Sequence, residues 1–538
     1  MNEFERIAIT LLATALYFAA GARMLGAMQC CGYKNARFHA WLKRRDNLWY
    51  NRLCLLFTML LLSCALISLS FSFLGAAVAK RISLVPFAFF VALFCVTESK
   101  SPVKVPFVPT GRIRRLGAVY AFLLALALYI IVAVFSALEK VIPGNLYPIF
   151  SLLPICAAPL FLPFLLEFAN LISCAFETPR NAKFARRAAE KLKTARKNGC
   201  IVIGVTGSYG KTSVKNILAA ILSEKYRVCA TPESYNTPVG IAKTVESAAF
   251  DGAQVFIAEM GAAKAGDIKE LCDLYPIDYG VFTGVCRQHS ETFGSEEEIF
   301  AEKRLIIGSA AKKAICGAAV YEKFGDKLTA EEMKKCVFVP RGAAENVGGF
   351  PLKTAFDLSL TVGGKVEKRR VETPILGRGA AENIALAAYA AAEIGLSAEE
   401  IFAGISKAKP VSHRLQLIEE NGVYVLDDGY NASEKSASQA LEVLSAFSGR
   451  KYVVTPGVVE TGIEDTAINR PLGAKLAAFD GVFLHEGATA VKEGYLTAGG
   501  KEENLRLYRT RDEVIPLLGA LLAEGDAVLF LNDLPAIY

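Results

Sequence analysis

The chain holds thirteen cysteines, yet no two are spaced as Cys-x-x-Cys, which excludes a zinc ribbon or a dithiol redox motif. Six of them, those between Cys54 and Cys229 with Cys200 left aside, fall in apolar or strand-like runs, as reduced buried thiols would. Charge is also sparse. Charged residues make up 21% against 53% hydrophobic, with mean hydropathy +0.34, which excludes a disordered or fibrous chain and argues against a purely soluble one. Acids are scarcest at the front: residues 1–200 carry 24 Lys+Arg against 8 Asp+Glu, and the remaining 338 carry 36 against 45. A basic, apolar front and an acidic remainder are different objects, and 538 residues allow three to four units of ordinary domain size.

Apolar stretches near the length needed to cross a bilayer, about 20 residues, recur at Ile7–Met28, Leu53–Ala79, Ile82–Val96, Leu116–Leu138 and Leu146–Phe176. The third is short and contains Pro86. The leading segment MNEFER is not basic and no small-x-small site follows it cleanly, so the first stretch does not read as a cleaved signal peptide. Lys and Arg concentrate after the first, third and fifth stretches, leaving thin loops at Lys80–Arg81 and Glu139–Lys140. That bias predicts a multi-pass membrane protein, with the N-terminus outside and everything after residue 178 in the cytoplasm. The same basic loops suit contact with anionic lipid or a lipid-linked substrate, although topology marking alone accounts for them. Arg23 and Glu167 read as isolated charges near span ends, so no acid–base relay is expected.

At Cys200 the pattern changes to apolar runs alternating with helical periods, which predicts an α/β domain. Ile201-Val202-Ile203-Gly204-Val205 reads as a buried parallel strand leading into Thr206-Gly207-Ser208-Tyr209-Gly210-Lys211-Thr212-Ser213 and then a helix from Val214. A strand, a glycine loop, Lys-Thr and a helix form a phosphate-binding loop: backbone N–H groups and the helix N-terminus hold phosphates, Lys211 offsets their charge, and Thr212 can reach Mg²⁺. The strict pattern has glycine where this chain has Val205. The strand Val255–Ala258 ends in Glu259, a carboxylate directed at the ligand crevice and a candidate metal ligand. His289, one of only four histidines, follows the strand Tyr279–Thr283, and Lys303 lies in a polar helix, Glu296–Arg304.

In order, TGSYGKTS, SYNTPVG, the EMG strand end, TGVCRQH, AEK, GRGAAENIALAA, HRLQ and LDDGYNAS resemble the motifs of the Mur ligases, ATP-dependent amide ligases of peptidoglycan precursor synthesis. The likeness covers about residues 195–538. Within the family it is greatest to the members that add D-alanyl-D-alanine to a UDP-linked muramoyl-tripeptide. The resemblance implies the following roles. Thr206 to Ser213 would hold the ATP phosphates. Thr212 and Glu259 would bind one Mg²⁺ and His289 a second. Lys303 would act as an N-carboxylated side chain, and Asn236 as a polar active-site residue. Asn383 would face the adenine, and Arg414 and Asp428 would contact phosphate and ribose. It also implies a muropeptide or lipid-linked acceptor and an amino-acid or D-Ala-D-Ala-like amine; no nucleic acid is expected.

The expected architecture is an α-helical membrane domain over 1–178, a P-loop central domain with a parallel sheet over 179–409, and a C-terminal Rossmann-like ligase domain over 410–538. A small antiparallel edge is predicted within 311–375. Three departures from the family pattern stand out. Gly379-Ala380 replaces His-Asn after Gly377-Arg378, and Asn532-Asp533-Leu534-Pro535 replaces a Lys-Gly-Ser element. Apolar spans replace the small domain that grips the UDP-sugar in soluble members, which makes a membrane-presented acceptor plausible. Two other readings remain open at this level. A transport ATPase would generally carry an aspartate in place of Glu259 and would need neither His289 nor Lys303. A degenerate ligase acting as a scaffold would fit the losses at 379 and 532.

Overall fold

The computed structural model describes residues 3–43, 49–70, 85, 88–96, 107–138, 141, 147–286, 293–430, 432–459, 461 and 465–532. It divides into two compact units, over 1–181 and 182–534.

The first unit is helical. Helices Glu3–Ala20 and Ala22–Cys30 meet at a 44° bend, so the first expected span is broken at Gly21. Helix Trp49–Ser70 follows, and the rest of the second expected span lies outside the described residues, as do parts of the third. Helices Gly111–Ala137 and Tyr147–Lys197 come next. Among the described residues, two helices are long and apolar enough to cross a membrane, or three if the bent pair counts as one span. From Leu116 onward, helix Gly111–Ala137 is apolar on every face. Ile113, Leu116, Tyr120, Leu124, Leu128 and Val132 pack inward, while Phe122, Leu126, Ile130 and Val134 lie exposed. One expectation is corrected here. Glu167 is not isolated: its Oε1 sits 3.2 Å from His39 Nδ1, and Asn35 Nδ2 donates to its backbone carbonyl at 2.9 Å. Nor is Arg23 without a partner. His39 lies outside the predicted spans, so spacing along a single helix does not reveal the pair.

The second unit contains three sheets. The strands of the first are β1 (Ile201–Thr206), β2 (Val228–Ala230), β3 (Val255–Glu259), β4 (Tyr279–Phe282), β5 (Lys313–Cys316) and β6 (Cys336–Phe338), all parallel in the order β2-β3-β1-β4-β5-β6. Both faces are covered. Ile203, Val205, Val255 and Ile257 enter one core with the helices Lys211–Leu222 and Arg378–Ile394, and Val202, Phe256 and Ala258 enter the other. A strand buried on both faces reads as a continuous apolar run, as this one does. The C-terminal turns of helix Tyr147–Lys197 supply Ala185, Ala188, Ala189 and Leu192 to the second core.

The predicted insert is not an edge of this sheet. Strands β7 (Ala344–Gly348), β8 (Thr354–Val362) and β9 (Lys365–Thr373) form a separate antiparallel sheet with its turn at Gly363-Gly364, while β5 and β6 complete the parallel one. The third sheet comprises β10 (Gln416–Glu420), β11 (Val423–Asp428), β12 (Lys451–Thr455), β13 (Gly481–His485), β14 (Leu505–Tyr508) and β15 (Ala527–Leu531), in the order β10-β11-β15-β12-β13-β14. Only β10–β11 is antiparallel. Its Asn421-Gly422 turn has positive φ at both residues, 53° and 76°, the twist a two-residue hairpin favours.

Candidate active site

The register of the first sheet sets the site. β1 and β3 run side by side with Val205 opposite Glu259, and β1 and β4 place Thr206 opposite Phe282. Their carboxyl ends therefore open together onto the loop 207–210. That loop needs glycine where it turns. Gly207 has φ 150° and Gly210 φ 72°, and a Cβ on Gly207 would fall 1.8 Å from Thr283 Oγ1. Helix Lys211–Leu222 starts directly behind Gly210 with no side-chain cap, leaving its first N–H groups to an anion.

Glu259 is 1% exposed and shared by three donors. Thr212 Oγ1 donates to Oε2 at 3.0 Å, Asn236 Nδ2 donates to Oε1 at 3.3 Å, and Lys215 Nζ lies 3.4 Å from Oε2. Lys215, 0% exposed, also donates to the Glu233 carbonyl at 2.5 Å. Lys211 has no paired carboxylate among the described residues and folds back to donate to the Gly207 carbonyl at 2.8 Å. Burial lowers its pKa, with nearby Glu259 opposing and Arg414 reinforcing the shift. Thr206 does not face the cleft: its buried hydroxyl donates to the Met260 carbonyl at 2.8 Å.

Lys303 ends the helix Glu296–Lys303 and is 4% exposed. Burial, then the charge of Lys211, push its pKa down to about 7, and no carboxylate pairs with it among the described residues. His289 lies outside the described residues.

The third sheet closes the other side of the cleft. Ser208 to Ser213, Asn383, Arg414, Asp428, Tyr430, Lys435 and Gln439 line one cavity. Arg414 Nη1 donates to the Tyr430 carbonyl at 2.8 Å, and its guanidinium stacks 4.7 Å from the Tyr430 ring centroid. Its neighbours His413 and Leu415 take positive φ, 60° and 47°. That strain is held by His413 Nδ1 at 2.7 Å from Asp427 Oδ2 and by Leu415 N donating to Asp428 Oδ1 at 3.0 Å. Burial pushes Asp428 up to about 6 although Arg414 opposes it. Contacts between the two sheets' domains include Ser234 Oγ to Tyr430 Oη at 3.0 Å and Lys435 Nζ at 4.8 Å from the Tyr209 ring centroid.

Lys211 and Arg414, both lacking an acidic partner in an ion pair among the described residues, make a seat for a polyanion. The Thr212 hydroxyl and Glu259 carboxylate are hard oxygen donors at its edge. No described group of three His, Cys, Asp or Glu could enclose a metal by itself. One hydroxyl and one carboxylate fit Mg²⁺, which typically takes one or two carboxylates and completes its shell with phosphate oxygens and water. Sequence reasoning missed Lys215, Lys435 and Gln439. A lysine four residues after Lys211 on the buried side of an amphipathic helix was an available signal for the first; the other two depend on tertiary structure.

Residues 205–392 match the Mur ligase middle domain. The chain is 30% identical over 407 residues to the UDP-N-acetylmuramoyl-tripeptide–D-alanyl-D-alanine ligase of Mycobacterium bovis, covering 70% of this chain and 78% of that one. Against the Bacillus subtilis ligase of the same name it is 29% identical over 343 residues, covering 62% and 73%. Among solved structures, the MurF ligase from Thermotoga maritima in complex with ADP superposes with a TM-score of 0.57 at 25% identity, covering 66% of this chain and 81% of that one.

The buried pair makes a prediction. Replacing Lys215 by Met leaves Glu259 charged, dry and short of a partner, and should cost about 3–5 kcal/mol of stability. Lys215→Met with Glu259→Gln should recover most of that loss without recovering activity. Chemical denaturation of the three proteins checks this, and a stable single variant would contradict the ion-pair account.

Proposed function

The chain belongs to the Mur ligase family, and from that membership we propose that it joins an amino acid or a D-alanyl-D-alanine-like dipeptide to the carboxylate of a muropeptide, using ATP, at a bacterial membrane. The observation that carries the reading is one cavity in which Lys211 and Thr212 of one sheet's domain face Arg414 and Asp428 of the other, with the Glu259 carboxylate buried behind Thr212 as its hydrogen-bond acceptor.

In this reaction an acceptor carboxylate oxygen attacks the γ-phosphorus and ADP leaves. The amine then attacks the acyl phosphate carbonyl, phosphate departs, and the nitrogen loses a proton. Lys211, Arg414 and the N–H groups ahead of helix Lys211–Leu222 hold and offset the phosphate charge. Asp428 suits the ribose hydroxyls and Asn383 the base. Mg²⁺, held by Thr212 and Glu259 with the phosphates, would supply Lewis acidity to the transferring group. The C-terminal domain, which touches the phosphate-loop domain through Tyr430 and Lys435, would exclude water from the acyl phosphate by closing on the nucleotide. A transport motor would release ADP without an amine, so the decisive assay is ADP release from Mg-ATP by the detergent-solubilised full chain with soluble and lipid-linked muropeptides. Release should require both acceptor and amine. Lys211→Ala should lower it on the order of a thousandfold; a variant keeping a tenth of the activity would contradict the assignment.

Lys303 fits an N-carboxylated lysine. Carbamate formation needs a neutral amine, and burial with Lys211 nearby supplies one near neutral pH. The product is an anionic oxygen donor, which a cation site can use and an ammonium cannot supply. Lys303→Ala should be nearly inactive and regain part of its rate when a short carboxylic acid is added at high concentration. Lys303→Arg should stay inactive; if it works like the parent, the lysine serves only as a cation.

The membrane location draws support from helix Gly111–Ala137, whose outward Phe122 is 67% exposed and Ile130 52%, an apolar face that lipid would cover. Spans in place of a UDP-sugar domain favour an acceptor presented at the bilayer. Loop charge puts residues 179–538 in the cytoplasm with the ATP. A reporter fused after Tyr538 should be active only as a cytoplasmic fusion, and activity only outside would refute this topology.

A further inference from the structure

The cavity beside the phosphate loop has a lining of two chemical kinds. Lys211 and Arg414 supply positive charge. Ile375, Leu376, Leu415, Gly379 and Ala380 supply apolar surface of the kind a flat heteroaromatic ring requires. One unpaired polar side chain joins this lining from the third sheet's domain: Gln439, on helix Glu434–Ser445. Its Oε1 lies 2.5 Å and its Nε2 3.6 Å from where a Cβ on Gly379 would stand. The carboxamide therefore occupies the volume that a side chain at 379 would fill, and it forms no hydrogen bond among the described residues.

The helix turn that carries the amide is held in place. Arg378 Nε pairs with Glu442 Oε1 at 2.8 Å and Lys435 Nζ with Glu382 Oε2 at 2.6 Å. Residues 435, 439 and 442 share one face of their helix, so the two ion pairs bracket Gln439. Its oxygen lies over the first turn of helix Arg378–Ile394, where leading N–H groups lack intrahelical partners and favour a carbonyl. The NH₂ end is left for the cavity.

We propose that Gln439 selects the nucleotide's base, its Nε2 donating to N1 of adenine. In adenine N1 is an unprotonated acceptor; in hypoxanthine and guanine it carries hydrogen and would meet donor with donor. Gly379 and Gln439 belong to different domains, so base selection exists only when the cleft is assembled. This rests on the ligase reading only in requiring that a nucleotide bind.

Competitive binding of MgATP and MgITP to the detergent-solubilised full chain tests it, with melting temperature as the control for folding. The parent should prefer ATP. Gln439→Ala should lower the ATP-to-ITP preference about tenfold, the worth of one hydrogen bond, while phosphate-dependent binding persists. Gln439→Glu keeps the size but offers only acceptors, and should shift the preference towards ITP. Gly379→Val, which evicts the amide, should behave like Gln439→Ala. If all three variants bind with the parent's ratio, or if the parent does not favour ATP, Gln439 is not the selector. Either result would leave the ligase reading standing, because Lys211→Ala would still abolish nucleotide binding; failure of that control would count against the ligase reading instead.

Discussion

A buried carboxylate organises this site. Taking Glu259 out of water is costly unless its charge is matched and its lone pairs are filled, and the fold answers with Lys215, Thr212 and Asn236. Thr212 and Lys215 come from one helix and Asn236 from the loop ahead of the next. Satisfying Glu259 therefore fixes the rotation of the phosphate-loop helix against β3. The backbone joins in, because Glu259 N donates to Thr231 Oγ1 at 3.0 Å. This arrangement also decides which lysine is available. Lys215 takes the carboxylate, and Lys211 remains at the loop, held among the described residues by carbonyl oxygens and ready to exchange them for phosphate.

The third sheet contributes the opposite charge logic. Arg414 is flanked by two residues in left-handed backbone, a conformation costing about 1–3 kcal/mol at each non-glycine position. Hydrogen bonds to Asp427 and Asp428 offset that cost. The strain places a guanidinium near Lys211 at one cavity, an arrangement of like charges that becomes favourable when a polyanion arrives. Stability is thus reduced locally to prepare an anion seat.

The parts legible in the sequence are those encoded over a few consecutive residues. The β1–loop–helix unit, the acid at the end of β3 and the Asn421-Gly422 hairpin combine local backbone requirements with a short pattern, and all three stand where the pattern puts them. Lys303 and Asp428 were legible as positions; their depressed and raised pKa values are not, because burial belongs to the fold. The separate β7–β8–β9 sheet read as an edge because strand patterns do not say which sheet they join. His39 beside Glu167 and Gln439 over Gly379 were invisible for one reason: each pairs residues at least 60 positions apart with no motif on either side.

The two departures from the family pattern inside the ligase part bear on whether the site has decayed. A site drifting without function loses side chains and keeps the holes. At 379 the missing side chain's volume is filled by the Gln439 carboxamide from across the cleft. At 532 the asparagine adopts φ 60°, donates from Nδ2 to the Gly457 carbonyl at 2.9 Å and accepts from Ala432 N at 3.3 Å, tying the end of β15 to the segment after β11 that carries Tyr430. Polar groups that converge on a cleft and remain paired or aimed into it are costly to keep unless the cleft is used, since a buried polar group without a partner costs about 1–3 kcal/mol. The rebuilt contacts, together with an intact Lys211–Thr212–Glu259 set, favour a working ligase with an altered pocket over a scaffold that has lost its chemistry.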